Sequence, residues 1–406
     1  MENEKEFPVP MRVAVLFDNL GPYHVARMKL ASTFVDLLAV ETAGTSGDYL
    51  WAKNGAAEDF RKATLFPDAL SPETSREELA RRLHRVLTDF KPAVVAVPGW
   101  SSRAAFLAVR WCQSHSVPTV VMSDSTIYDE VRRSWTEAIK KRYVRLCSAA
   151  LVAGLPHTEY IGQLGMKKSS IFTGYDVVDN QYFAEQASSA RSAQQQIRGR
   201  LRLPERYFLA SARFIPKKNL PRLLEGYAAY YERTPEPWPL MILGDGGMRQ
   251  ALEALVVGLG LGPSVQMPGF VQYVDLPAYY GLAGAFIHAS TSEQWGLVVN
   301  EAMAAGLPVL VSDRCGCAPD LVQSGVNGFT FDPESIEQLS ELLTKISTMP
   351  AQELSSMGSE SQRTIADWGL ERFAANLKKA AEVAVHTGVK QGSLLDRLML
   401  ETLSRR

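Results

Sequence analysis

Two stretches of the chain collect the residue types that hold phosphate. The first, Ser211-Ala212-Arg213-Phe214-Ile215-Pro216-Lys217-Lys218-Asn219, separates an apolar run ending at Ala210 from the helical pattern Leu220 to Tyr231. The planar guanidinium of Arg213 and the point charge of Lys218 complement two adjacent phosphoryl groups, although a loop of this composition also suits plain solvation. The second runs from Ala289 to Pro308, ASTSEQWGLVVNEAMAAGLP. Gly296 opens a helix there and Gly306 closes it, so unpaired backbone N–H groups at its start attract an anion. Glu293 lies in the loop before that helix and Glu301 about five residues into it, roughly 7 Å along its axis.

The two glutamates can face hydroxyls on opposite sides of a bound diphosphate, which is the layout of ribose, diphosphate and hexose in a nucleotide-sugar. The plainer reading makes them a complement to the helix dipole and part of an exposed polar face. Both stretches follow short apolar runs, and those runs set the architecture. In the first half they are Val13-Ala14-Val15-Leu16-Phe17, Ala93-Val94-Val95-Ala96-Val97, Thr119-Val120-Val121-Met122 and Ala149-Ala150-Leu151-Val152-Ala153. After position 205 the rhythm restarts with Tyr207-Phe208-Leu209-Ala210, Leu240-Met241-Ile242-Leu243, Ala285-Phe286-Ile287-His288 and Val309-Leu310-Val311. Continuous apolar runs separated by helix-length segments are strands of parallel sheets buried on both faces. The expected fold is α/β, with two Rossmann-like, doubly wound domains in tandem facing a central cleft. In such sheets ligands bind beyond the carboxyl ends of the strands, so the residues just after each run are the candidates.

The polar stretch QASSARSAQQQIRGR, 186–200, suits a connector or an exposed helix rather than core, and the domains are expected at 1–180, 181–368 and, as C-terminal helices, 369–406. The segment Gly369 to Val385 has Leu370, Phe373, Leu377 and Ala381 at helical spacing, and the tail repeats the pattern with Leu394, Leu395, Leu398 and Leu400. Both are expected to pack back on the first domain. With 43 Lys and Arg against 44 Asp and Glu, the net charge of -1 gives no overall field to recruit nucleic acid. Four cysteines, Cys112, Cys147, Cys315 and Cys317, lack the spacing of a disulfide framework or a zinc site and read as structural thiols in a reducing compartment. The acidic start MENEKEFPVP lacks the basic region of a signal peptide, and no apolar run approaches a membrane span. A cytoplasmic location is expected. The segment 130–146, EVRRSWTEAIKKRYVRL, mixes Arg132, Arg133, Lys140, Lys141, Arg142 and Arg145 with Val131, Trp135, Ile139 and Leu146. It can lie on an anionic membrane as a peripheral contact at the inner face, or be an ordinary core-facing helix with a charged outer side.

In the first half, Gly21 and His24 sit where the run ending at Phe17 gives way to a helix, placing backbone near a ligand at that helix start. His24 is either an acceptor contact or a capped surface histidine. Gly99 and Trp100 end the second run and face the expected cleft. Asp124, in Ser123-Asp124-Ser125, ends the third and is the acidic candidate for an acceptor contact, with a solvated turn as the alternative.

The second half resembles the retaining GT-B glycosyltransferases of family 4, the glycosyl transferases of group 1. Their Glu-x7-Glu signature appears as Glu293 to Glu301 within EQWGLVVNEAMAAGLPVL. Around it stand the Arg213 to Lys218 loop, Gly244-Asp245-Gly246, Pro268-Gly269-Phe270-Val271, Ser312-Asp313-Arg314 and Gly325-Val326-Asn327-Gly328-Phe329, and the resemblance spans about 170 to 385. It implies a hexosyl transfer from a nucleotide-diphosphate sugar to a hydroxyl acceptor. Arg213 and Lys218 would bind the diphosphate, Glu293 the donor sugar and Glu301 the ribose. Gly296 and Leu297 would offer backbone N–H groups to phosphate, and Gly244, Phe270 and Val271 would border the base. Gln294-Trp295 replaces the more usual Gly-Phe and implies a modified pocket rim. The turn Pro98-Gly99-Trp100 lacks the histidine that members often place against the donor sugar. No Asp-x-Asp motif suits the site, so neither metal nor cofactor is expected. A nicotinamide-dependent oxidoreductase is disfavoured, because Gly258, Gly260 and Gly262 do not continue into a dinucleotide fingerprint. A non-catalytic, nucleotide-sugar-binding partner of another transferase would keep the same residues, and is separated by testing Lys218.

Overall fold

The computed structural model describes residues 10–45, 59–70 and 75–405. Among them two parallel sheets stand in tandem. The first comprises β1 (Arg12–Phe17), β2 (Asp36–Thr45), β3 (Arg61–Leu70), β4 (Val94–Pro98), β5 (Thr119–Ser123), β6 (Ala149–Val152) and β7 (Ile171–Thr173), in the order β3-β2-β1-β4-β5-β6-β7. The second comprises β8 (Phe208–Ser211), β9 (Leu240–Leu243), β10 (Val265–Gly269), β11 (Ala285–His288), β12 (Val309–Ser312) and β13 (Gly328–Phe331), in the order β10-β9-β8-β11-β12-β13.

The order reverses between β1 and β4 in one sheet and between β8 and β11 in the other, where Val13 pairs with Val94 and Phe208 with Ala285. At these switch points the connections leave to opposite faces and open a crevice above the strand ends. The segments carrying Gly21, Gly99, Arg213 and Glu293 follow β1, β4, β8 and β11, so both crevices are lined by candidate residues.

Helices cover both faces because a parallel sheet buried on both sides needs them. The helix Arg76–Phe90 shows the local logic: Ser75 caps Glu78 N, Leu79, Leu83 and Leu87 form its buried stripe, and left-handed Lys91 ends it. The helix Leu370–Thr387 leaves the second domain and packs on the first, burying Phe373, Leu377 and Ala381 against the helix Pro22–Ala31 and strands β6 and β7. Full burial of a side chain such as Phe373 or Leu377 stabilises by about 1.5–3 kcal/mol. The helix Leu394–Leu403, opened by a Ser393/Asp396 capping box, lies on the helix Arg103–His115. Here the pattern differs from its sequence reading: Leu400 and Leu403 are buried, while Leu394, Leu395 and Leu398 face outward. All four cysteines are buried thiols.

Candidate active site

The loop after β8 is fixed from beneath. Phe214 is fully buried, its N–H donates to the Asp245 carbonyl at 2.8 Å, and Pro216–Lys218 forms one 3-10 turn ended by left-handed Asn219. Gly244, at φ 124°, makes this possible, because a Cβ there would stand 1.9 Å from the Ala212 carbonyl oxygen. The Gly244 N–H also ties β9 to β10 through the Gly269 carbonyl, with Phe270 and Val271 next in the chain.

Lys218 thus meets Glu293 in an ion pair with both side chains largely buried. Glu293 Oε2 also faces His288 Nε2 at 3.2 Å and Ser290 Oγ at 3.2 Å, and Lys217 lies 3.9 Å from Oε1. Burial alone would raise the Glu293 carboxyl, but the His288 hydrogen bond and the Lys218 ammonium overcome it and hold it well below the usual carboxylate range. Burial lowers His288, whose Nε2 lies within hydrogen-bond distance of Glu293 and Ser290. Gly296, at φ 106°, starts the helix Leu297–Ala304, and no side chain caps that start. Ammonium groups, a buried carboxylate and an uncapped helix start are therefore juxtaposed at the β8/β11 switch point.

Two residues expected at the donor pocket are placed differently. Trp295 is 2% exposed, donates from its indole to Asn300 at 2.9 Å and packs on Trp368 and His157, so its side chain belongs to the core and not to the pocket rim. Its large apolar area wins over the cleft. Beside it, the Gln294 carbonyl meets His157 Nε2 of the first domain at 2.9 Å. Glu301 is completely buried, one oxygen taking the Tyr280 hydroxyl at 2.6 Å and the other the hydroxyl of Tyr23 from the first domain. Burial raises this carboxyl to about 7.

Gly21 caps the helix Pro22–Ala31 with φ -77°, a conformation open to any residue. His24 is no surface histidine: its ring lies 4.4 Å from that of Phe17, its Nδ1 is buried without a partner, and burial lowers it to about 3, leaving it neutral. Gly99 adopts the left-handed region at φ 43°, and its N–H reaches the Met122 carbonyl at 2.6 Å. Trp100 departs from the expected cleft orientation, packing edge-on against Tyr160 with the Lys140 ammonium over its ring, among the first domain's core residues. Asp124 directly follows β5: burial raises its carboxyl, and the charges of Asp129 and Glu293 add to this. The basic segment is only partly solvated. Lys140 is buried against Glu130, Arg132 pairs with Asp129 and Glu137, and Arg142 binds Asp396 at 2.9 Å, leaving Arg133, Lys141 and Arg145 exposed.

The sequence reading does not single out His288, Tyr280, Tyr23 or Asp176. His288 stands only as the end of an apolar run, and Tyr23 lies between Gly21 and His24 with no local sign of its partner. Asp176 follows β7, whose three half-buried residues gave no strand signal. It is buried, with Oδ1 3.6 Å from Arg27 and Oδ2 unpartnered, and burial with repulsion from Asp124 pushes it up to about 7.

Residues 193–364 match the family model described as glycosyl transferases group 1. The second domain is a group 1 glycosyltransferase domain. Three curated relatives align mainly with part of the chain. The sulfoquinovosyl transferase SQD2 of Arabidopsis thaliana is 33% identical over 36% of this chain and 28% of its own length. The alpha-monoglucosyldiacylglycerol synthase of Acholeplasma laidlawii is 33% identical over 30% of each. The mannosylfructose-phosphate synthase of Agrobacterium fabrum is 28% identical over 51% of this chain and 47% of its own. The chain thus spans less than half the length of each of these relatives. Solved structures extend the likeness to both domains. HepE of Anabaena, solved with UDP and glucose, has a TM-score of 0.71 at 18% identity, covering 91% of this chain and 98% of its own. Sucrose-phosphate synthase of Thermosynechococcus elongatus has 0.71 at 17%, covering 91% and 98%. The group 1 domain therefore sits in a GT-B fold.

Proposed function

We propose that this protein is a retaining glycosyltransferase that moves a hexosyl-type sugar from a nucleotide-diphosphate sugar to a hydroxyl of a saccharide, glycolipid or natural product. The observation that carries this reading is the cluster of Lys218, Glu293 and His288 beside the uncapped start of the helix Leu297–Ala304. As the bond from the anomeric carbon to the phosphate oxygen lengthens, negative charge grows on the leaving diphosphate. Arg213, Lys218 and the helix start stabilise it where it develops. Glu293 stays ionised beside them, orienting Lys218 and accepting hydrogen bonds from the donor sugar. For retention, the departing phosphate oxygen takes the acceptor proton on the face the acceptor attacks. Asp124, which feels the charge of Glu293, would be the acceptor-side contact. The cations perform the charge stabilisation, so we expect no metal requirement.

The relatives named for transfer to diacylglycerol-type lipids and to sugar phosphates keep both acceptor classes in view. For a lipid acceptor, peripheral contact at an inner membrane face would use exposed Arg133, Lys141 and Arg145 with Val131 and Trp135, 88% and 53% exposed. Among the described residues no helix is long and apolar enough to cross a membrane.

The test is saturation-transfer NMR and donor turnover across UDP-, GDP- and TDP-sugars, with the anomeric configuration of the product read by NMR. Binding of one class with turnover to a retained product is expected. If none binds, the proposal is wrong.

A further inference from the structure

The Tyr23 hydroxyl crosses from the first domain and donates to Oε1 of Glu301, the carboxylate that the family resemblance assigns to the ribose. Its ring lies edge-on to Tyr273, centroids 5.5 Å apart, and Tyr273 stacks on Tyr182 at 5.2 Å. Tyr280, from the same domain as Glu301, fills the second oxygen at 2.6 Å. A fully buried carboxylate demands donors at both oxygens, and two phenols here supply them.

A ribose hydroxyl is the same kind of neutral donor as a phenol. The Tyr23 hydroxyl takes an acceptor position on Oε1 that such a donor would use. We infer that Tyr23 is a place-holder for the ribose of a nucleoside diphosphate: its hydroxyl satisfies Oε1 of Glu301 while the site lacks nucleotide, and the nucleotide binds by displacing it. The inference rests on the nucleotide-sugar reading above. Exchange of one neutral donor for another keeps the buried carboxylate satisfied throughout, so displacement does not strand a charge. What changes is the link between domains, since Tyr23 belongs to the helix Pro22–Ala31 and Glu301 to the helix Leu297–Ala304. Nucleotide binding thereby releases a cross-cleft contact, and nucleotide departure restores it.

The experiment is calorimetric titration of UDP and GDP into the wild type, Tyr23→Phe, Tyr280→Phe and Glu301→Ala. Tyr23→Phe removes the competing hydroxyl, so it should bind the preferred nucleotide about three- to tenfold more tightly than wild type. Tyr280→Phe should bind no more tightly, because that hydroxyl is not displaced. Equal or weaker binding by Tyr23→Phe, with Glu301→Ala weakened, overturns the place-holder and leaves the nucleotide reading standing. Wild-type binding to neither nucleotide, or Glu301→Ala binding as well as wild type, overturns the ribose assignment and the place-holder with it. A measurement on wild type alone guards against a variant that does not fold. Hydrogen–deuterium exchange at the start of the helix Pro22–Ala31 should rise on saturation with the binding nucleotide, and increased protection there overturns the inference.

Discussion

Two carboxylate clusters at the cleft, one around Glu293 and one around Asp124 and Asp176, handle buried charge in opposite ways. On the second domain's side Glu293 is surrounded by Lys218, Lys217 and His288, and its ionised form is favoured. On the first domain's side Asp124 and Asp176 lie within each other's field, with Arg27 the cation beside Asp176, and burial favours their neutral forms. Around Glu293 the ionised form is held by the His288 hydrogen bond and the neighbouring cations, whereas Asp176 of the first domain, raised to about 7, exchanges a proton near neutrality, as does Glu301 of the second.

The strongest way to break this contrast is Lys218→Ala, which removes the cation from the developing phosphate charge and should lower kcat by about 10²–10³-fold. Unchanged transfer would revive the reading as a non-catalytic partner. The next is the pH dependence of stability. Folding raises the Asp176 proton affinity, so its contribution is full below the ordinary aspartate range near about 4 and is lost as pH rises through about 7. The loss is on the order of 2–4 kcal/mol, and Glu301, also raised to about 7, acts in the same direction. Glu293 has the opposite sign: its depressed pKa gives stability at neutrality that is lost only as pH falls below the usual carboxylate range. Thermal melts at pH 5 and pH 8 should therefore show wild type losing more on the rise than Asp176→Asn, and parallel losses would remove Asp176 from the account. Third, Trp295→Phe should cost about 1–2 kcal/mol of stability, through lost volume and the broken bond to Asn300, with nucleotide affinity preserved. A selective loss of affinity would return that side chain to the pocket. The smallest expected effect is none: transfer measured in EDTA should match transfer without it.

The sequence made β1, β4, β5, β6, β8, β9, β11 and β12 legible because each carries an unbroken apolar run, buried on both faces as in β1, β9 and β12. It concealed β2, β3, β7, β10 and β13. Glu41 and Thr42 interrupt the apolar run of β2, and β3 opens on Arg61 and Lys62. Strands β7 and β10 are short and half buried, and β13 alternates an exposed Thr330 with buried neighbours. At the site, Lys218 and Glu293 were readable because their chemistry depends on local spacing after a strand. Trp295, Trp100 and Tyr23 were not, since a ring's destination depends on which apolar surface another part of the chain presents. For Trp295 that surface is Trp368 and for Trp100 it is Tyr160, far away in sequence. The partners of Glu301 were hidden for the same reason, because a hydroxyl 278 positions away leaves no local trace.

The helix Leu370–Thr387 gives the molecule an order of assembly. The first domain seats Phe373, Leu377 and Ala381 in its own core, so that core is incomplete until the whole group 1 domain has been synthesised. The second domain's sheet, contiguous from β8 to β13, can close earlier and serves as the platform from which the last helix folds back. During translation the earlier-made half is thus the later-finished one, with the apolar seat of this helix open to solvent in the interval.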